Sequence, residues 1–204
     1  MYPIFLKIEN KACLVIGGGK VATRKIRDLV DEGAKVTVVA IRASKEISDL
    51  AQKGVISLEN REFREGDTHG YFLVIAATDD HELNRIISNE AGAAILFNSV
   101  DEPELCNFYA GAVIKRGKLR VAVSTSGAFP PLTKKIKMDI DSSLPTSYGP
   151  LLDKLGEFRS FLKKKHVPEA ERKRTIDTIV RSPAIDEFLR GNEEPLIRML
   201  AKCK

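Results

Sequence analysis

Over residues 12–97, short apolar runs alternate with stretches whose apolar positions recur at helical spacing. The run at 12–16 reads as a buried strand. After Gly17-Gly18-Gly19, the positions Val21, Ala22, Ile26, Leu29 and Val30 mark a helix that stops at Gly33, a residue suited to that end. A second strand is expected at 35–40. Ser44 caps a helix carrying Ile47, Leu50 and Ala51, which stops at Gly54. A short strand at 55–58, a polar loop at 60–70 and a buried strand at 71–77 follow. Thr78-Asp79-Asp80 caps a helix with Leu83, Ile86 and Ile87 facing inward, and a fifth strand is expected at 93–97. Residues 1–9, with Pro3 and alternating Ile4, Leu6 and Ile8, read as an edge strand or a lead-in. The alternation predicts an α/β fold, an open parallel sheet wound by helices, with ligands outside the carboxyl ends of the strands.

The pattern then changes. Residues 111–115 and 119–124 alternate around Lys115-Arg116-Gly117-Lys118 and read as a hairpin or two linked strands. Residues 125–131 form a turn, and Pro131 suits the first position of a helix to about residue 141. A Ser/Pro-rich break at 142–150 precedes a purely helical region. Its apolar stripes are Leu151, Leu152, Leu155, Phe158 and Leu162, then Ile176, Ile179 and Val180 after Pro168. Ile185, Phe188 and Leu189 follow Ser182-Pro183, and Leu196, Ile197 and Leu200 follow Asn192. These stripes read as core.

Gly17, Gly19 and Ala22 fit the dinucleotide fingerprint G-x-G-x-x-G/A between a strand and a helix. Gly17 allows the tight turn, Gly19 lets backbone approach a pyrophosphate, and Ala22 lets the helix sit close to the strand. Polar residues gather at the other carboxyl ends: Ile41 and Arg42 after the second strand, Thr78 and Asp79 after the fourth, Asn98, Ser99 and Asp101 after the fifth.

Composition narrows the classes. The 204 residues suffice for a real core, and the apolar and charged fractions are those of a soluble globular protein. No apolar run approaches a membrane span, so no membrane association is expected. Lys7, Glu9 and Lys11 interrupt any signal-peptide pattern, and a cytoplasmic protein is expected. Cys13, Cys106 and Cys203 form neither a disulfide framework nor a metal spacing. His69, His81 and His166 build no metal site, so no metal ligand is assigned. The net charge is +5, and residues 115–137 hold seven Lys/Arg and no acid: Lys115, Arg116, Lys118, Arg120, Lys134, Lys135 and Lys137. Such a stretch suits a polyanion, or is simply a solvated face. It lacks interleaved aromatics, which ranks nucleic acid last among partners.

Four segments now coincide. They are Leu14-Val15-Ile16-Gly17-Gly18-Gly19-Lys20-Val21-Ala22-x-Arg24-Lys25, Ala76-Ala77-Thr78-Asp79-Asp80, Phe97-Asn98-x-Val100-Asp101, and Val121-Ala122-Val123-Ser124-Thr125-Ser126-Gly127 ahead of Pro130-Pro131. Together they resemble the precorrin-2 dehydrogenase/sirohydrochlorin ferrochelatase family, the N-terminal half of siroheme synthases. The resemblance covers the whole chain, most strongly residues 1–140. It implies NAD-dependent oxidation of precorrin-2 to sirohydrochlorin and, in some members, insertion of Fe²⁺. It also implies a homodimer with an NAD-binding Rossmann domain at 1–112, a β-containing dimerisation region at 113–146 and a small all-helical domain at 147–204.

Residue by residue, the resemblance makes Asp101 the catalytic carboxylate. It places Lys20 and Val21 by the pyrophosphate, Ile41 and Arg42 by the adenosine, Thr78 and Asp79 at the nicotinamide edge, and Asn98 near the cofactor. Candidate substrate contacts are Ser124, Thr125, Lys118, Arg120 and Lys134, the basic ones facing the eight carboxylates of the tetrapyrrole. Strand alternation puts Lys118 and Arg120 on one side. The acid that usually holds the ribose 2′-OH is missing, since Ala40-Ile41-Arg42 occupies its place; Arg42 suits a 2′-phosphate, but the resemblance keeps NAD first. Some relatives place a phosphorylated serine where this chain has Thr125. The competing reading is an NAD(H)-sensing regulatory domain without catalysis, which needs neither Asp101 nor the basic stretch.

Overall fold

The computed structural model describes residues 1–203. Residues 1–110 and 111–204 form two compact units, a division that joins the hairpin segment and the helical segment in one unit.

The first unit is built on a five-stranded parallel sheet. Its strands are β1 (Ala12–Ile16), β2 (Lys35–Val39), β3 (Ser57–Glu59), β4 (Leu73–Ala76) and β5 (Leu96–Ser99), in the order β3-β2-β1-β4-β5. Parallel strands covered on both faces need near-continuous apolar sequence, and β1 and β4 supply it. The helices are α1 (Lys20–Asp31), α2 (Lys45–Gln52) and α3 (His81–Ala91). One face of the sheet packs Cys13, Val15, Val36 and Val38 against Ala22, Ile26, Leu29 and Ile47. The other packs Leu14, Ile16, Val39 and Val74 against Ile87, Ala91 and Phe97. Each large buried side chain here contributes about 1.5–3 kcal/mol. Because β1 neighbours both β2 and β4, the strand order reverses beside β1, and a crevice opens between the carboxyl ends of β1 and β4.

Several expected elements shift. Residues 1–10 form no strand; Ile8 packs on the core and the Asn10 N–H donates to the Gly33 carbonyl at 2.8 Å, so the segment is a lead-in. β5 begins at Leu96 rather than 93, because α3 ends only at Ala91 with Gly92 as its cap. Asn98 and Ser99 therefore lie inside the strand. On α3, Ile86 is 48 % exposed, and Asn84 takes the inward position instead at 1 %. Asn84 is tolerated there because its Oδ1 accepts from Thr78 Oγ1 at 2.7 Å and its Nδ2 donates to the Thr78 carbonyl at 3.2 Å. The polar 60–70 loop is stapled by Arg61, whose guanidinium donates to both oxygens of Asp67 at 2.6 and 2.9 Å and holds that carboxyl below its usual range.

The second unit opens with an antiparallel hairpin, β6 (Ala112–Arg116) and β7 (Leu119–Val123). The two-residue loop is Gly117-Lys118, with Gly117 at φ 57°, the glycine-first arrangement that matches strand twist. Helix α4 (Pro130–Ser143) starts one residue before the expected proline. The helices α5 (Tyr148–Lys164), α6 (Glu169–Val180), α7 (Pro183–Leu189) and α8 (Glu194–Lys202) close around Leu151, Phe158, Leu162, Ile179, Phe188, Leu196 and Leu200. Val180 and Ile197, expected on apolar stripes, are half exposed. A Cβ on Gly117 would come within 2.9 Å of Gly149 Cα, so the hairpin turn sits directly on the first turn of α5. No helix among the described residues is long and apolar enough to cross a membrane.

Burial sets the thiols apart. It pushes the Cys13 thiol up to about 11 and raises that of Cys106, whereas Cys203 is exposed. A disulfide-exchange reagent at neutral pH should titrate Cys203 rapidly in the native protein, half-buried Cys106 more slowly, and Cys13 only on unfolding. Rapid labelling of Cys13 would contradict this core.

Candidate active site

The glycine turn after β1 is fixed from two sides. A Cβ on Gly17, which lies at φ 118°, would fall 2.1 Å from the Ala77 carbonyl oxygen at the end of β4. A Cβ on Gly18 would fall 2.0 Å from the Arg42 carbonyl oxygen after β2. Only glycine lets these loops approach so closely. Hydrogen bonds complete the contact: the Ser44 N–H donates to the Gly18 carbonyl at 2.9 Å, and the Thr23 and Ser44 hydroxyls meet at 3.0 Å. Thr23 Oγ1 donates to the Gly19 carbonyl at 2.9 Å, and Ser44 Oγ caps α2 by accepting from the Ile47 N–H at 3.3 Å. Gly18, Thr23 and Ser44 thus join Gly17 in shaping the turn. The sequence places Gly18 in the turn without a role of its own and leaves Thr23 unassigned, although the four-residue spacing of Thr23 from Gly19 on a helix is a readable signal.

Gly19 differs. It is exposed, and a Cβ built on it meets nothing within 4 Å. It is the N-cap of α1 and makes no side-chain capping bond, whereas Ser44 and Asp80 cap α2 and α3. The first turn of α1 therefore presents backbone N–H groups and the positive end of the helix dipole to open space. Lys20 and Val21, at the start of α1, are exposed, as are Ile41 (67 %) and Arg42. Buried Ala22 lets α1 lie close to the sheet. These residues fit a dinucleotide: uncapped amides and Lys20 for a pyrophosphate, and apolar Ile41 with cationic Arg42 for an adenosine.

Across the crevice, Thr78 is half buried and committed to Asn84, while Asp79 is exposed. Asn98 lies in β5 beside Ile75 and is spent internally: its amide donates to Cys106 Sγ at 3.3 Å and to the Phe108 carbonyl at 3.2 Å. Its side chain anchors the segment after β5. Asp101 sits in the bend after β5 and is exposed. None of the hydrogen bonds or ion pairs among the described residues engages its carboxylate, and the following 3₁₀ turn, Pro103–Leu105, has no side-chain cap. Asp101 therefore does not cap that turn.

Glu102, which the sequence reading passed over, is 5 % exposed. Its Oε1 lies 3.4 Å from His81 Nδ1 and 4.0 Å from Arg85 Nε, and its Oε2 has no hydrogen-bond partner. Nothing in the sequence separates it from the exposed acids around it. Among the described residues, no three His, Cys, Asp or Glu side chains cluster closely enough to hold a metal ion.

The candidate substrate residues belong to the second unit. Lys118 lies in the hairpin loop rather than on a strand, so it does not alternate with Arg120; it pairs with Asp153 at 2.8 Å, which raises its amine. The residue directly opposite Arg120 is Lys115. Arg116 donates to Asp141 at 2.7 Å, and Lys135 pairs with Asp139 at 2.7 Å. Arg116, Lys118 and Lys135 are thus matched by acids beyond the stretch. Lys134 is exposed. Ser124 Oγ accepts from the Ser126 N–H at 3.1 Å, and Thr125 Oγ1 shares a 2.6 Å hydrogen bond with Thr133 Oγ1 at the start of α4.

A family model described as "Putative NAD(P)-binding" matches residues 4–112. The chain is 38 % identical over 203 residues to the siroheme synthase of Methylococcus capsulatus, covering 98 % of this chain and 43 % of that protein. It is 36 % identical over 204 residues to the siroheme synthase of Thioalkalivibrio sulfidiphilus, covering 99 % and 42 %. The chain thus spans less than half the length of these curated relatives. The solved structure of SirC, a precorrin-2 dehydrogenase, superposes with a TM-score of 0.85 at 29 % identity, covering 99 % of this chain and all of that one.

Substitution at the turn should separate binding from folding. Gly19→Asp should abolish NAD⁺ binding in a calorimetric titration and leave the unfolding midpoint near wild type. Gly17→Ala should instead lower stability by about 2–4 kcal/mol, through strain and overpacking against Ala77. Normal NAD⁺ binding by Gly19→Asp would move the cofactor away from this turn.

Proposed function

The chain belongs to the NAD(P)-binding family of siroheme synthases and precorrin-2 dehydrogenases, and we propose that it oxidises precorrin-2 to sirohydrochlorin with NAD⁺ in siroheme biosynthesis. The observation that carries this reading is Asp101, an exposed carboxylate with no internal partner, following β5 on the carboxyl-end side of a dinucleotide-type sheet. Oxidation removes a hydride and a proton from the tetrapyrrole. Bound NAD⁺ supplies the hydride acceptor. Asp101 accepts the proton and, being exposed, returns it to water. The α1 amides and Lys20 hold the pyrophosphate, Ile41 and Arg42 the adenosine, and Thr78 and Asp79 the nicotinamide edge. Fixing that edge confines the transfer to one face. Lys134, Arg120 and Lys118, with Ser124 and Thr125, are the proposed partners of the substrate carboxylates. A nucleotide sensor has no use for an unpaired carboxylate here, which favours catalysis over regulation.

The same carboxylate suits a second step, insertion of Fe²⁺ as substrate into sirohydrochlorin, in which two pyrrole protons must leave as the metal enters. The homodimer belongs to the same proposal. Among the described residues β6 and β7 form a sheet of two strands, and such a sheet gains from a second copy.

Anaerobic incubation with precorrin-2 and NAD⁺ should produce sirohydrochlorin and NADH together, and Asp101→Asn should lower kcat by about 10²–10⁴-fold with NAD⁺ affinity unchanged. Unaltered turnover in that variant would remove Asp101 from the chemistry. A second cuvette with sirohydrochlorin and Fe²⁺ should give siroheme, again dependent on Asp101; no metal insertion by the wild type would confine the chain to oxidation. Sedimentation equilibrium should return twice the chain mass, and a monomer mass would exclude the homodimer.

A further inference from the structure

We propose that Glu102 is the positioning residue for Asp101, a buried carboxylate that ties the segment after β5 to helix α3. The proposal rests on the reading of Asp101 as the proton acceptor.

Three observations lead to it. First, Glu102 is kept buried with poor compensation. Its Oε1 faces His81 at 3.4 Å and Arg85 at 4.0 Å, side chains that are 68 % and 61 % exposed, and its Oε2 has no partner. A buried carboxylate with one orphaned oxygen is costly, and such groups persist where function requires them. The other orphaned buried side-chain atom among the described residues is Ser99 Oγ, in the same segment.

Second, the ends of the segment are already secured without Glu102. The Cys106 thiol accepts from the Ser99 N–H at 3.2 Å and from Asn98 Nδ2 at 3.3 Å, and lies 3.2 Å from the Ser99 carbonyl as donor. Asn107 accepts from the Phe97 N–H at 2.8 Å and donates to the Ile95 carbonyl at 2.7 Å. Between these ends the backbone is held on either side of Asp101, by the Val100 N–H donating to the Ala76 carbonyl at 3.0 Å and by the Glu102 carbonyl accepting from the Leu105 N–H at 3.2 Å. Beside the exposed Asp101, Glu102 is the charged side chain that turns inward.

Third, the place it reaches matters. His81 is the first residue of α3 and follows Thr78-Asp79-Asp80, the stretch that borders the crevice after β4. The Glu102–His81 contact thus links the Asp101 bend to the far wall of the cofactor crevice. Moving Asp101 by an ångström relative to that wall would cost turnover without touching cofactor affinity.

The sign of the stability change separates this role from a structural one. Glu102→Gln keeps the shape and removes the buried charge. It should unfold at the wild-type midpoint or above, lower kcat by about tenfold or more, and leave the KM for NAD⁺ within about twofold. His81→Ala, at an exposed position, should lower kcat in the same direction, and the double variant should be no worse than Glu102→Gln alone, because the two act as one unit. A kcat near wild type in Glu102→Gln, or additive losses in the double variant, overturns the proposal. A lowered unfolding midpoint with normal kcat in the folded fraction assigns Glu102 to the fold and also overturns it. Asp101→Asn run alongside distinguishes the two levels. If it stays active, the reading of Asp101 has failed and the positioning role falls with it; if it is inactive while Glu102→Gln is unaffected, only the positioning role fails.

Discussion

The first unit depends on a backbone contact that no side chain could survive. Three loops meet at the carboxyl end of β1, and the approach of the glycine turn to the Ala77 and Arg42 carbonyls leaves no room for a Cβ on Gly17 or Gly18. The contact aims the start of α1: with Gly18 held by Ser44 and Gly19 held by Thr23, the uncapped first turn of the helix points outward. A helix terminus left uncapped, the kind that suits an anion, is therefore a by-product of packing strands β1, β2 and β4 side by side.

Adjacent carboxylates in the segment after β5 meet opposite fates. Asp101 stays in water, without a partner. Glu102 is drawn under α3 and gives up hydration for two weak contacts. The alternation arises because Ser99, at the end of β5, and Cys106 are locked together, so the short loop between them can turn only some of its side chains inward. Asn98 follows the same logic. A residue at the carboxyl end of a strand looks free to touch a ligand, yet here its amide closes the loop.

In the second unit the hairpin is stabilised by what packs on it. Gly117 rests on Gly149, and Arg116 reaches both the Asp141 carboxylate and the Leu144 carbonyl, at 3.1 Å for the latter. A two-stranded ribbon alone is marginal in water, and these contacts supply its support. They also spend part of the positive charge that residues 115–137 display as sequence. The neutralising acids, Asp139, Asp141 and Asp153, lie on helices later in the chain.

The sequence by itself determined the winding of the sheet, the glycine turn, the caps at Ser44 and Asp80 and the helical nature of the last fifty residues. Each of these is a local matter: periodicity over one element, or a residue type demanded by one dihedral or one capping bond. It also determined the family resemblance, because the motifs that carry it are contiguous. Tertiary structure decided what depends on distant partners. Gly18 matters because of Arg42, Asn84 is buried because Thr78 meets it, β5 starts late because α3 runs on, and Lys118 is offset by an aspartate 35 positions away. Above all, the chain spells Asp101 and Glu102 as two neighbouring acids. Only the fold, by giving water to one and α3 to the other, makes them different.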